Sequence, residues 1–240
     1  MLLYIISFII IFISAMIQGV TSFGFSLIGV PLLALIMPLD LIVPMLVVFS
    51  LVLNILVYSK IQGHVNKRQI IILIICGLVS IPIGIYGLSV VDDSIIKLIA
   101  GIIIIISASA MQFGFKITFK KQDIAYGLTG FLSGILNGAS SLSGPPVILL
   151  LSNEGVDKNN FRKTLATYFM TLNLFSIPMF LMSGFLTGEV VVNSLKLSPA
   201  LFIGTLLGIK LGNKIPDGVF RKITLVLIFV MGVMTLISGL

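Results

Sequence analysis

Charge is the first thing this chain lacks. Only 10% of its 240 residues are Asp, Glu, Lys or Arg, against roughly 25% in a soluble domain. So few ionisable groups cannot coat a globule of this size in water. The 58% hydrophobic content and the mean hydropathy of +1.23 point the same way. There is one histidine, His64, and one cysteine, Cys76, which sits in an apolar run. Those counts exclude a disulfide framework and a Cys/His metal site, and with them most zinc and haem chemistry. Tryptophan is absent, so Tyr and Phe must serve any interfacial belt. The chain reads as an integral membrane protein with no cofactor and no metal, and its +7 net charge is not read as a nucleic-acid surface. Residues 1–17 have neither a basic leader nor a small-residue cleavage site, so a first membrane segment is expected there rather than a signal peptide.

What is present is a set of apolar runs. The uncharged stretches are 1–39, 41–59, 69–91, 98–115, 124–153, 164–188, 197–209 and 223–240. One crossing needs about 20 apolar residues, and two of these stretches are too long for one. The first is interrupted at Gln18-Gly19-Val20-Thr21-Ser22-Phe23-Gly24, the second from Asn137 through Gly138, Ser140, Ser141 and Ser143 to Gly144-Pro145-Pro146. A double proline cannot continue a helix, and Gly with Ser weakens one. Each stretch is therefore expected to be a pair of short helices meeting at an irregular turn.

The two interruptions resemble each other. At an offset of 119, Phe12 matches Phe131, Ser14 matches Ser133, Gln18 faces Asn137, Gly19 matches Gly138, Ser22 matches Ser141 and Leu53-Asn54 matches Leu172-Asn173. At 120, Ile83-Gly84 matches Ile203-Gly204, and at 124 Asp93 matches Asp217. So regular an offset indicates an internal repeat, with halves at 1–115 and 122–240 joined by a basic cytoplasmic linker at 116–121.

Charge then sets the orientation of the halves. The loops at 60–68, 116–121, 153–163 and 210–222 hold 13 of the 15 basic residues; Lys97 and Lys196 are the others. The positive-inside rule puts the four basic loops in the cytoplasm, so equivalent loops of the two halves fall on opposite sides. The expected fold is all-α: two inverted-topology repeats, each three full transmembrane helices plus a broken-helix hairpin, about 8–10 hydrophobic segments in all, with both termini external.

Inverted repeats around broken helices are the architecture of secondary transporters, with substrate bound where the breaks meet. Irregular backbone survives in a bilayer only when it is buried in protein or lines a wet cavity. A helix that starts at such a break offers free N–H groups and a partial positive charge, which suits an anion. The candidate substrate-binding residues are Gln18, Gly19, Thr21, Ser22, Asn137, Gly138, Ser140, Ser141, Ser143, Gly144, Pro145 and Pro146, with the buried amides Asn54 and Asn173. Gly204, Gly208 and Gly212, four apart, read instead as a helix-packing ridge. His64 lies between Lys60 and Lys67 in a polar loop and reads as exposed.

The run from Gln18 to Phe25, the Asn137–Pro146 element and the late glycine ridge ending in Ile215-Pro216 resemble the sulfite exporter TauE/SafE family of bacterial permeases. The resemblance spans essentially the whole chain, and Ser143-Gly144-Pro145-Pro146 is its most specific part. It implies a multi-pass protein of the bacterial inner membrane that moves sulfite, sulfonates or related small sulfur-containing anions, generally outward. The expected partners are a small anion and the lipid bilayer, with homo-oligomerisation left open and no nucleic acid.

Other classes make distinct demands. A serine protease at Gly138-Ala139-Ser140-Ser141 needs a base in reach, and no apolar run contains a histidine or lysine at suitable depth; an enzyme is not expected. A carrier of other small organic anions, an anion channel and an accessory membrane subunit remain alternatives. No ionisable residue falls near the centre of an apolar run, and Asp40, Asp123 and Glu189 lie at run ends. Coupling therefore falls either to an end-of-helix carboxylate or to the anion gradient and membrane potential.

The charge split makes a direct prediction. With Cys76→Ser as background, Thr187→Cys labels with an impermeant thiol reagent on intact cells and Gln62→Cys does not. Labelling at both positions, or at neither, contradicts inverted halves.

Overall fold

The computed structural model describes residues 2–112 and 121–239, and most of the basic linker lies outside them. The described residues form ten helices: α1 (Leu2–Thr21), α2 (Gly24–Leu33), α3 (Leu39–Lys60), α4 (Lys67–Val90), α5 (Asp93–Gln112), α6 (Gln122–Ser140), α7 (Gly144–Asn153), α8 (Lys158–Met182), α9 (Gly188–Lys214) and α10 (Asp217–Ile237). Short polar side chains start several of them. Asn66 accepts from the Arg68 and Gln69 N–H groups, Asp157 from those of Asn159 and Asn160, and Thr187 from that of Val190. Seven helices are long and apolar enough to cross a bilayer. Both interruptions are present, but each joins a long helix to a ten-residue one rather than two short helices. The difference has a local cause: the chain stays helical up to a single left-handed serine, and only the segment beyond it is short.

Small residues draw the helices together. α1 and α9 run parallel: Tyr4 Oη donates to the Lys196 carbonyl (2.7 Å) near one end, and Gly212 lies on Val20 near the other. Gly204, Gly208 and Gly212 all face α1, where a Cβ on any of them would strike backbone; the glycine ridge packs as its spacing indicates. α4 and α6 repeat the arrangement, also parallel, with Gly130 on Leu73, Gly134 on Gly77 and Gly138 on Ile81. α3 and α8 are antiparallel, with Lys163 Nζ donating to the carbonyls of Tyr58 (2.7 Å) and Ile61 (3.1 Å). α5 and α10 are antiparallel too, since Gly101 meets Leu236 and Gly232 meets Ile104. Lipid provides no hydrophobic drive between helices, so backbone approach of this kind is the main source of cohesion.

The outer faces are apolar. On α4, Ile71, Ile75, Val79, Ile83 and Tyr86 are all exposed at near-helical spacing, while Leu73, Gly77, Ser80 and Gly84 of the same helix are buried. A water-soluble helix distributes its residues the other way. The protein is a multi-pass, all-helical membrane protein.

The α4–α6 seam is testable with two glycines of one helix. A Cβ at Gly84 would fall on the Ile135 carbonyl, Ala139 N and Gly138 Cα, whereas nothing lies within 4 Å of one at Gly87. Gly84→Ala is expected to destabilise the purified protein by about 1–3 kcal/mol. Gly87→Ala is expected to be neutral, or to stabilise by up to about 1 kcal/mol. Equal thermal midpoints for the two variants would contradict the close seam.

Candidate functional site

The two interruptions turn on equivalent residues. Ser22 (φ 72°) and Ser141 (φ 59°) are the two non-glycine residues with positive φ among the described residues. A side chain held in this conformation costs roughly 1–2 kcal/mol, and glycine usually fills it at a helix end. Backbone strain of this kind clusters at functional sites and switch regions. At the second turn, Ser141 N–H donates to the Asn137 carbonyl (2.9 Å) and Leu142 N–H to that of Leu136 (3.2 Å). At the first, Ser22 N–H donates to the Gln18 carbonyl (2.7 Å).

Each turn is braced by a pair of amides 36 residues apart in sequence. Gln18 Nε2 donates to Asn54 Oδ1 (2.9 Å) and to the Ser22 carbonyl (3.1 Å), while Gln18 Oε1 accepts from the Phe25 N–H (3.0 Å). Asn54 in turn donates to the Ser50 carbonyl (2.7 Å). In the other half, Asn137 Nδ2 donates to Asn173 Oδ1 (3.2 Å) and Ser143 Oγ (3.3 Å), and Asn137 Oδ1 accepts from Ser176 Oγ (3.0 Å). The turns touch through the Ser26 and Ser141 hydroxyls, 2.9 Å apart. Gln18, Thr21, Ser22, Asn54, Asn137, Ser140, Ser141, Ser143 and Asn173 are each 5% exposed or less. At roughly 1.5 Å per residue, Asn54 and Asn173 lie within about 7 Å of the midpoints of α3 and α8.

Not every candidate faces the junction. Gly19 packs on Thr205 and Ile209 of α9, and Gly138 on Ile81 and Ile85 of α4. The Thr21 and Ser140 hydroxyls donate back to their own helices, at the Ile17 (2.8 Å) and Leu136 (3.0 Å) carbonyls. Pro145 and Pro146 do not interrupt a helix; they sit in the first turn of α7, where a missing N–H costs nothing. That placement removes donors from the α7 N-terminus. At α2, the Phe23 N–H is taken by Thr21 Oγ1 (3.3 Å) and that of Phe25 by Gln18. Two backbone donors at α2 are thus engaged and two at α7 are missing.

Arg162 is a residue the sequence reading placed elsewhere, among the basic residues of a cytoplasmic loop. The Asp157 cap starts α8 early enough to include it, and it is completely buried. The signal was available: Arg162, Leu165, Ala166, Phe169 and Asn173 follow the i, i+3, i+4, i+7, i+11 pattern of one buried face. Its Nη2 donates to the Gly19 carbonyl (2.8 Å) and its Nη1 to Asn213 Oδ1 (3.0 Å). Beside it, Phe161 stacks edge-on between Phe23 (centroids 6.3 Å apart) and Phe220 (6.0 Å).

Ten helices among the described residues, seven of them long and apolar enough to span a bilayer, and two buried, strained, amide-braced interruptions make this a multi-pass membrane protein with discontinuous helices, a feature of secondary transporters. Comparison with protein families agrees: the model of the sulfite exporter TauE/SafE family matches residues 7–235, and the chain belongs to that family. No curated protein and no solved structure matches it.

Proposed function

We propose that the protein is a secondary transporter that exports small sulfur-containing anions, such as sulfite or organosulfonates, across the bacterial inner membrane. The anion binds where the two broken helices meet. The observation that carries this reading is the junction itself: two amide pairs, Gln18–Asn54 and Asn137–Asn173, joined through Ser26 and Ser141 in the buried centre of the fold. In the present arrangement these donors satisfy one another. An arriving anion would take over the Gln18, Asn54, Asn137 and Asn173 N–H groups and the Ser22 and Ser141 hydroxyls, with Ser143 behind Asn137.

We read residues 1–115 and 122–240 as inverted repeats with both termini external. Antiparallel packing of α3 on α8 and of α5 on α10 supports this, because equivalent helices related by an axis in the membrane plane must run in opposite directions. The two junctions are then halves of one site, and rocking one half against the other would open it to either side in turn.

Proteoliposomes loaded with sulfite test the reading. Saturable counterflow of sulfite or methanesulfonate, with sulfate and small carboxylates as comparison anions, is expected. A conductance without counterflow would identify a channel, and no flux of either kind would leave an accessory subunit. Asn54→Ala and Asn137→Ala each remove a donor to a charged partner, a loss of roughly 1.5–3 kcal/mol, which lowers apparent affinity about 10- to 150-fold. Lys196→Gln, in the first half of α9 and away from the junction, is expected to change it little, in a salt-dependent way.

A further inference from the structure

Arg162 is a fully buried cation without a counter-charge. Among the described residues, the ion pair within 4.0 Å is Arg68–Asp123 on the surface, and no carboxylate approaches Arg162. Its two bonds go to neutral acceptors, Gly19 O and Asn213 Oδ1. Its Nε–H is buried with no partner at all. The guanidinium fork carries more donors than these two bonds use. A second unpartnered group lies three residues past Gly19: the Ser22 hydroxyl, fully buried in its left-handed turn.

Capping the end of α1 does not account for the charge. Phe23 N–H turns to Thr21 Oγ1, so the Gly19 carbonyl needs another donor, and Arg162 provides it. One neutral amide would do that work. Burying an ion instead carries a heavy desolvation penalty, and a bound anion would offset it.

We propose that Arg162, with the Ser22 hydroxyl, is the cationic subsite that receives the anion from the cytoplasmic side; the inference rests on the transport reading above. Three further observations support it. Four backbone donors that could otherwise face an anion are engaged, those of Phe23 and Phe25 by Thr21 and Gln18 at α2, or missing, at Pro145 and Pro146 of α7. Arg162 lies about 12 Å before the midpoint of α8, at roughly 1.5 Å per residue, towards the end that carries Lys158 and Lys163. A cavity of about 150 Å³, lined by Lys158, Asp217, Phe220 and Thr224, reaches Phe161, the residue before it. The Phe23–Phe161–Phe220 rings close the way from that cavity to the first interruption. The site is also one-sided. At the 119 offset Arg162 corresponds to Val43, which is buried and apolar, so the external half has no matching cation. An anion is thus drawn in from the negatively charged compartment and released where no cation holds it.

Calorimetric titration of purified protein with sulfite and methanesulfonate, together with the shift each causes in the thermal midpoint, tests the proposal. Arg162→Gln keeps a donor for Gly19 and loses the charge; Arg162→Lys keeps the charge and loses the fork. Arg162→Gln is expected to bind about 100-fold more weakly, and Arg162→Lys and Ser22→Ala about 10-fold, within the range for hydrogen bonds to a charged group. The sulfite-induced midpoint shift is expected to survive in Arg162→Lys and vanish in Arg162→Gln. A purely structural arginine gives no such split by charge, and equal affinity in wild type and Arg162→Gln overturns the inference while leaving transport intact. If Arg162→Gln does not yield folded protein, Arg162→Lys decides, and wild-type affinity there overturns it. Wild-type protein that binds neither anion refutes the transport reading, and this inference with it.

Discussion

A backbone that leaves the helix inside a bilayer has no water to satisfy its N–H and C=O groups. The arrangement around Ser22 and Ser141 follows from that constraint. Each interruption frees carbonyls at one helix end and N–H groups at the next start, and each is met by a side chain carried on another helix or from across the turn. Gln18 reaches over its own turn to the Phe25 N–H and sideways to Asn54; at the second turn Ser133 Oγ donates to the Ser143 carbonyl, and Asn137 reaches the side chains of Asn173 and Ser143. The amides are long-range because the local chain has run out of partners. A core built this way brings polar groups to the centre of an apolar protein and pairs them there, which is also what a passage for a small anion needs.

The glycine seams make the amide bridges geometrically feasible. Gly19 and Gly208 bring α1 against α9, and Gly84 and Gly138 bring α4 against α6, at backbone contact. The long members of the broken segments are thereby clamped, while α2 and α7 are short and end in loops. The clamped helices carry the amides; the short ones carry the turn on the far side of each serine. In the proposed transport cycle, movement at the junction would divide between the clamped α1 and α6 and the ten-residue helices that follow them.

Much of this was legible in residue order. The interruptions announce themselves through Gly, Ser and Pro where apolar residues should continue, and the 119 offset pairs Gln18 with Asn137 and Asn54 with Asn173 before any contact is seen. The glycine ridge is legible for the same reason, since its spacing has a single economical use. The length of α1 and α6 was not, because a serine in the left-handed conformation looks like any other serine. The role of Pro145 and Pro146 was half legible: they mark a boundary, but whether they end one helix or start the next depends on where Ser141 turns. Arg162 was misplaced because charge alone assigns it to a loop; the Asp157 cap and the buried periodicity from Arg162 to Asn173 argue otherwise and outweigh it.

Transport as proposed requires the two interruptions, which meet in this structure, to move apart for an anion to pass. The Ser26 and Ser141 hydroxyls, 2.9 Å apart, are the contact between them. A Ser26→Cys, Ser141→Cys protein in the Cys76→Ser background, reconstituted and mildly oxidised, measures it directly. A disulfide between the two positions, loss of sulfite counterflow, and recovery of counterflow on reduction are expected. Failure of the cysteines to cross-link, or full counterflow with the bond in place, would contradict it.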